Sequence, residues 1–268
     1  MSSDAGEKDR FYQEARAAAA LTHQNVAVIH EIGENEGRLY LAMELVEGQS
    51  LKSLIELSEP LSIKKVLEIA IQICEGLSAA HEKGVVHRDI KSDNIMVTPK
   101  GLVKIMDFGL AKVKGSTKLT KVGSTIGTAA YMSPEQARGE EVDRRSDIFS
   151  LGVVMYELFT GKLPFRGEHQ AALMYSLVNE DPQPVARFNE NVSPEIERII
   201  YKALAKDVED RYQSTEDLLA DLRRERKNIE YAKAGYVSMR NSALQAKIER
   251  PGKSAPGRNA PACRDGVR

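Results

Sequence analysis

Between Gly84 and Gly115 the sequence sets short apolar runs (VVH, NIMV, LVKIM) against charged residues that no hydrophobic core would select. Two clusters dominate this stretch. His87, Arg88, Asp89, Lys91 and Asn94 stand within VVHRDIKSDNIM, and Asp107-Phe108-Gly109 begins eighteen residues after Asp89. Either cluster alone is a handful of residues that chance supplies often. Both together, in this order and at this spacing, form a specific signal, and the rest of the chain reads as the frame that holds them.

That frame is mixed. Alanine-rich residues from Glu7 to Leu21 favour a helix. Two β-like runs, Val26–Glu31 and Arg38–Leu45, flank GENEG, which reads as a hairpin turn. A short helix over Ser50–Leu57 follows. Then Val66, Ile69, Ile73, Leu77 and Ala80 recur at helical spacing, a stripe that is core packing. Asp147 opens an apolar helix that ends at Gly161, and further helices are expected over Glu168–Asn179, Ser193–Ala205 and Ser214–Lys227. From about Ala234 the composition turns to Gly, Pro, Ser and Arg, which predicts disorder. The expected fold class is α+β, with a small lobe over 1–47, a large helical lobe over 48–230 and a basic disordered tail over 231–268.

The two clusters resemble the H-R-D-x-K-x-x-N and D-F-G motifs of the protein kinases, and the bacterial serine/threonine branch of that family in particular. The resemblance implies phosphoryl transfer from ATP with Mg²⁺, a reaction that needs an oriented nucleophile and neutralised phosphate charge. Asp89 would accept the substrate hydroxyl's proton, Lys91 would hold the γ-phosphate, and Asn94 and Asp107 would offer hard oxygens to Mg²⁺. Lys91, two residues after Asp89, is the serine/threonine-type arrangement. Phe108 belongs to the D-F-G set.

The match extends in both directions. In YLAMELVEG, similar to the last strand of a kinase small lobe and its hinge, Met43 would be the gatekeeper; Glu44 and Val46 would offer backbone groups to adenine, with Met96 beneath the ring. GTAAYMSPEQARG resembles the end of an activation segment. There Thr128 would bond Asp89 and Lys91, and Glu135 would pair with Arg211 of KDVEDRYQS. Asp147 would brace the catalytic loop through backbone N–H groups. Arg88 marks the class whose activation loop is ordered by phosphorylation, and Thr120 is the favoured autophosphorylation site among the hydroxyls of 112–125.

One part of the family pattern is missing. No G-x-G-x-x-G occurs, and no V-A-I-K-like lysine precedes the first helix, although Glu14 matches the helical glutamate that such a lysine would contact. The resemblance therefore covers about Ser3 to Lys227 and implies an N-terminally truncated domain, with a misplaced start as one explanation. A two-stranded remnant of the small lobe would be marginal by itself, and the chain alone should transfer phosphate poorly or not at all. The alternative is a non-catalytic pseudokinase or interaction module.

Charge and composition exclude other classes. No apolar run reaches membrane-span length, and the polar start is not a secretory signal. Two cysteines make no disulfide framework, so a cytoplasmic location is expected. From Arg223 onward 12 Lys/Arg face 4 Asp/Glu, against 26 and 35 before it. Without aromatic interleaving this basic end reads as solvated, and no nucleic-acid partner is expected. The partners that the resemblance implies are proteins with Ser/Thr acceptors, the chain's own activation loop, and a second copy through small-lobe pairing.

Overall fold

The computed structural model describes residues 12–36, 38–57, 61–108 and 126–248. Residues 12–19 are helical (α1), with Ala15 and Ala18 turned inward beside Leu21. The hairpin is built from β1 (Ile29–Asn35) and β2 (Arg38–Met43), paired antiparallel from Ile29↔Met43 to Asn35↔Arg38. β1 runs further than expected, because Gly33, Glu34 and Asn35 join the strand and leave the turn to begin at Glu36. Gly33 makes this possible: a Cβ there would come within 2.4 Å of the Tyr40 ring, whose hydroxyl donates to Glu31 at 2.7 Å. Glu36 takes φ +50° to start the turn.

A second sheet, in the order β3-β4-β5, is antiparallel and comprises β3 (Gln49–Ser50), β4 (Ile95–Val97) and β5 (Val103–Ile105). The segment before the hairpin joins this sheet, since Ala27 N–H donates to Ile105 O and Ile105 N–H to Asn25 O, each at 2.9 Å. The two clusters thus flank β4 and β5, which set the distance between them.

The helices below bury the core. α2 (Leu51–Leu57) leads to α3 (Ile63–His81), which Ser62 caps by accepting the Lys65 N–H; Val66, Ile69, Ile73, Leu77 and Ala80 are buried as their spacing predicts. Two short helices, α4 (Ile126–Ala129) and α5 (Pro134–Arg138), precede α6 (Arg144–Thr160). From Ser146 to Phe159 every residue of α6 except Glu157 is buried, as a helix apolar on all sides must be. Gly161 ends it with φ +67°, a left-handed cap that glycine takes without strain. α6 packs against α3 and against α8 (Pro194–Ala203), while α7 (Gln170–Asn179) lies beside α4 and α5.

The chain divides at 227/228 into two units. α9 spans Thr215–Ile248, so the helix expected to stop near Lys227 continues and the disorder expected over 231–248 gives way to helix. The physical reason is propensity: Glu, Lys, Arg, Ala and Leu keep the run helical well past Ala234, and the first Pro comes only at 251. Among the described residues no helix is long and apolar enough to cross a membrane.

Candidate active site

Asp147, in the first turn of α6 and fully buried, anchors the loop that carries the first motif. Its Oδ2 accepts the His87 N–H at 2.8 Å and its Oδ1 the Arg88 N–H at 2.7 Å, and His81 Nε2 lies 2.8 Å from Oδ2. A buried carboxylate needs such compensation to stay charged. Arg88 is held in the left-handed region at φ +69°, a conformation that costs about 1–3 kcal/mol outside glycine. Gln136 fixes the other side of the same residue, donating from Nε2 to the Arg88 carbonyl at 2.8 Å. That side chain also closes a capping box with Ser133 at the start of α5.

His87 links the two clusters. Its Nε2 bonds the Met106 carbonyl at 2.8 Å, its Nδ1 accepts the Asp89 N–H at 3.2 Å, and its ring meets Phe108 edge-on at 4.6 Å between centroids. Asn94 adds a second link, its carbonyl accepting the Met106 N–H at 2.8 Å. Asp107 follows directly, exposed and at φ +57°. The strands and His87 therefore bring both motifs together, as their spacing implied.

Polar groups of the first motif converge on one carboxylate. Asp89 Oδ2 accepts Lys91 Nζ at 2.7 Å and Asn94 Nδ2 at 3.1 Å, while Asn94 Nδ2 also reaches the Asp89 carbonyl at 2.9 Å. Asp89 Oδ1 and Asn94 Oδ1 make no hydrogen bond among the described residues. One carboxylate oxygen is thus free to accept a hydroxyl proton. A free amide oxygen and the exposed Asp107 carboxylate supply two hard donors, which fits Mg²⁺, a cation that keeps several waters and shares its shell with phosphates.

At the hairpin end, Glu44 and Val46 leave β2, and Met96 sits on β4 opposite Ser50 and Lys104. The Glu44 N–H donates to the Val28 carbonyl at 2.8 Å, but no described residue bonds the Glu44 carbonyl or either backbone group of Val46. These groups fit an adenine edge. Burial alone would raise the Glu44 carboxyl; bonds from Lys104 Nζ and the Val28 N–H, with the Lys104 and His30 charges, bring it below the usual carboxylate value.

Three expectations need correction or placing. Thr128 makes no bond to Asp89 or Lys91 among the described residues: it lies within the helical turn of α4, which packs against α7. Glu14 meets Arg88 instead of a lysine, at 3.9 Å, and Glu14 Oε2 and Arg88 Nε are buried without hydrogen-bond partners among the described residues. Thr120 and Gly109 lie outside the described residues. The Glu135–Arg211 pair forms as expected, with bonds of 2.9 and 3.2 Å.

Sequence reasoning missed Gln136 and a largely buried chain below the loop, in which Ser92, Tyr131 and Glu157 link hydroxyl to hydroxyl to carboxylate at 2.7 Å each. Burial pushes both the Tyr131 and Glu157 pKa values up and the Asp93 charge adds to it; the Glu157 charge raises Tyr131 further, while the bonds from Tyr131 and Ser92 pull Glu157 part of the way back. The S-x-x-Q pattern at Ser133–Gln136 was the available signal for Gln136. Nothing local marks the Ser92–Tyr131–Glu157 chain, whose members are up to 65 positions apart.

Residues 1–221 match the family described as protein kinase domain. The chain is 43% identical over 219 residues to serine/threonine-protein kinase PknB of Mycolicibacterium smegmatis, covering 80% of this chain and 35% of that protein. It is 41% identical over 214 residues to serine/threonine-protein kinase PrkC of Bacillus subtilis, covering 80% and 33%. A probable serine/threonine-protein kinase of Streptomyces coelicolor, SCO3848, is 40% identical over 228 residues, covering 83% and 34%. The chain thus spans about a third of the length of the curated relatives it matches. With a family match over most of its length and both motifs joined through His87, the chain belongs to the protein kinase family.

Proposed function

We propose that this protein is a serine/threonine protein kinase, transferring the γ-phosphate of Mg-ATP to Ser or Thr hydroxyls of proteins in the cytoplasm. The observation that carries this reading is the Asp89 carboxylate, paired with Lys91 on one oxygen and open on the other. Mg²⁺ would be held by Asn94 and Asp107, and when bound it neutralises phosphate charge. Asp89 orients the acceptor hydroxyl and takes its proton. Lys91, already 2.7 Å from Asp89, stands where a transferring phosphoryl group and the acceptor would meet. Adenine would lie between Met96 and the hinge backbone at Glu44 and Val46.

Catalysis here is positioning and electrostatics, so the absence from these residues of a glycine-rich loop and its partner lysine slows it. Transfer by the 268 residues alone is therefore slow. A second reading, a non-catalytic interaction module, draws on the Glu14 oxygen that is buried without a partner among the described residues.

Incubation with labelled Mg-ATP and a Ser/Thr-rich protein substrate, followed by phosphosite mapping, separates them. The kinase reading expects phosphoserine and phosphothreonine on the substrate, and phosphate on hydroxyls of 112–125, Thr120 foremost. No transfer at any enzyme concentration would favour the module. Phosphotyrosine alone would refute the Ser/Thr assignment.

A further inference from the structure

Lys104 belongs to none of the motifs above. It occupies the middle of β5, its neighbour in register is Met96, and Asp107 follows three residues later. Its Nζ donates to Glu44 Oε2 at 2.8 Å and reaches the Val26 carbonyl at 3.5 Å. The same Glu44 oxygen accepts the Val28 N–H at 3.2 Å, and the Glu44 N–H returns a bond to the Val28 carbonyl. With side chains only 12% and 27% exposed, the pair is shielded from competing water and salt.

One carboxylate thereby ties three separate pieces of chain: residues 26–28, the end of β2 and the strand that delivers Asp107. The bonds of Asn25 and Ala27 to Ile105 close the same loop from the other side. A strut of this kind sets the distance between the hinge backbone and the β4–β5 ladder. That distance is the width of the slot in which a planar base would have to fit.

We propose that Lys104 is a positioning residue for nucleotide: through Glu44 it fixes the hinge at Glu44–Val46 relative to Met96 and Asp107. The inference rests on the nucleotide site proposed above. Lys104 does not touch the ligand itself, so its effect appears in affinity and its geometry is what matters.

The test compares Mg-ATP and adenosine binding by the wild-type chain, Lys104→Met and Lys104→Arg, with unfolding midpoints recorded in parallel. Lys104→Met keeps the aliphatic stem and removes the charge. It should weaken both ligands by about tenfold, because the fault lies at the base rather than the phosphates. Lys104→Arg, which can still bond the carboxylate, should recover most of that loss. Lys104→Met binding both ligands like wild type, with wild-type binding intact, overturns this inference and leaves the kinase reading standing. Lys104→Arg as weak as Lys104→Met also overturns it, by showing that the effect is general loosening. Failure of the wild-type chain to bind either ligand overturns the nucleotide site itself, and the inference with it.

Discussion

Replacing Arg211 by leucine should destabilise the chain by about 3–5 kcal/mol, read as a fall in the denaturant midpoint at unchanged slope. The Arg211 side chain is fully buried. Its Nη1 donates to Glu135 at 2.9 Å and to the Arg145 carbonyl at 2.8 Å, its Nη2 to Glu135 at 3.2 Å, and its Nε to the Ala205 carbonyl at 3.2 Å. The guanidinium also lies 5.0 Å above the Phe149 ring centroid. Leucine fills part of the volume but leaves Glu135 charged and buried, with Ser146 Oγ at 2.6 Å and a backbone N–H left to compensate it. A buried pair broken from one side costs more than the same pair removed whole. Accordingly, Arg211→Leu with Glu135→Leu should be less destabilised than Arg211→Leu alone, and a double variant that is worse by the full sum would show the two sites to be independent.

The pH dependence follows from the same contact. Burial would raise the Glu135 carboxyl, but the bonds and charge of Arg211, with Ser146, hold it at about 2. An unfolded glutamate titrates near its ordinary value of roughly 4.3. Between those two values the unfolded chain binds the extra proton, so the pair's contribution is complete above the unfolded value and is lost as pH falls toward 2. Discounted for partial solvent access, it amounts to about 2–3 kcal/mol. In Arg211→Leu only Ser146 and the backbone still oppose burial, so this part of the acid sensitivity should shrink or vanish.

Asp89→Asn should lower the phosphoryl-transfer rate by about 10²–10⁴-fold, the range expected for loss of a general base. Asparagine has the same shape, and its oxygen can still accept from Lys91 Nζ or Asn94 Nδ2, which now bond Asp89 Oδ2 at 2.7 and 3.1 Å. Its amide nitrogen then occupies the open Oδ1 position, where it offers a donor to a hydroxyl that needs an acceptor. Backbone bonds from Asp89 to His87 and Asn94 remain, so the loop holds its course. Mg-ATP affinity should therefore be unchanged while the rate collapses. A rate equal to wild type in rapid-quench or radiolabel assays would mean that Asp89 is not the base, or that a contaminating kinase was being measured.

Some of this architecture was legible in the sequence because it is local. The buried stripe of α3 is written in a 3.6-residue period, and the motifs carry their own spacing. The Asp147 brace and the Glu135–Arg211 pair were legible only through resemblance, since 76 residues separate the latter partners. The position of the hairpin turn depended on Gly33 accepting the Tyr40 ring, a cross-strand contact that no window of sequence reports. Thr128 went astray for a similar reason: the α4 turn, packed on α7, decides its direction. α9 runs past Lys227 because helix-forming residues fill the stretch before the glycine and proline at the end of the chain. Lys104 looked like one more polar residue on a strand, and only the folded chain brings it to Glu44, 60 positions away.

The central claim, that the two motifs together form a Mg-ATP site, is tested most directly by titrating ATP into the chain with and without Mg²⁺, for wild type and Asp107→Asn. The account predicts that Mg²⁺ strengthens wild-type binding and that Asp107→Asn removes this dependence while leaving metal-free binding intact. ATP binding that is absent, or that is indifferent both to Mg²⁺ and to Asp107→Asn, would contradict it.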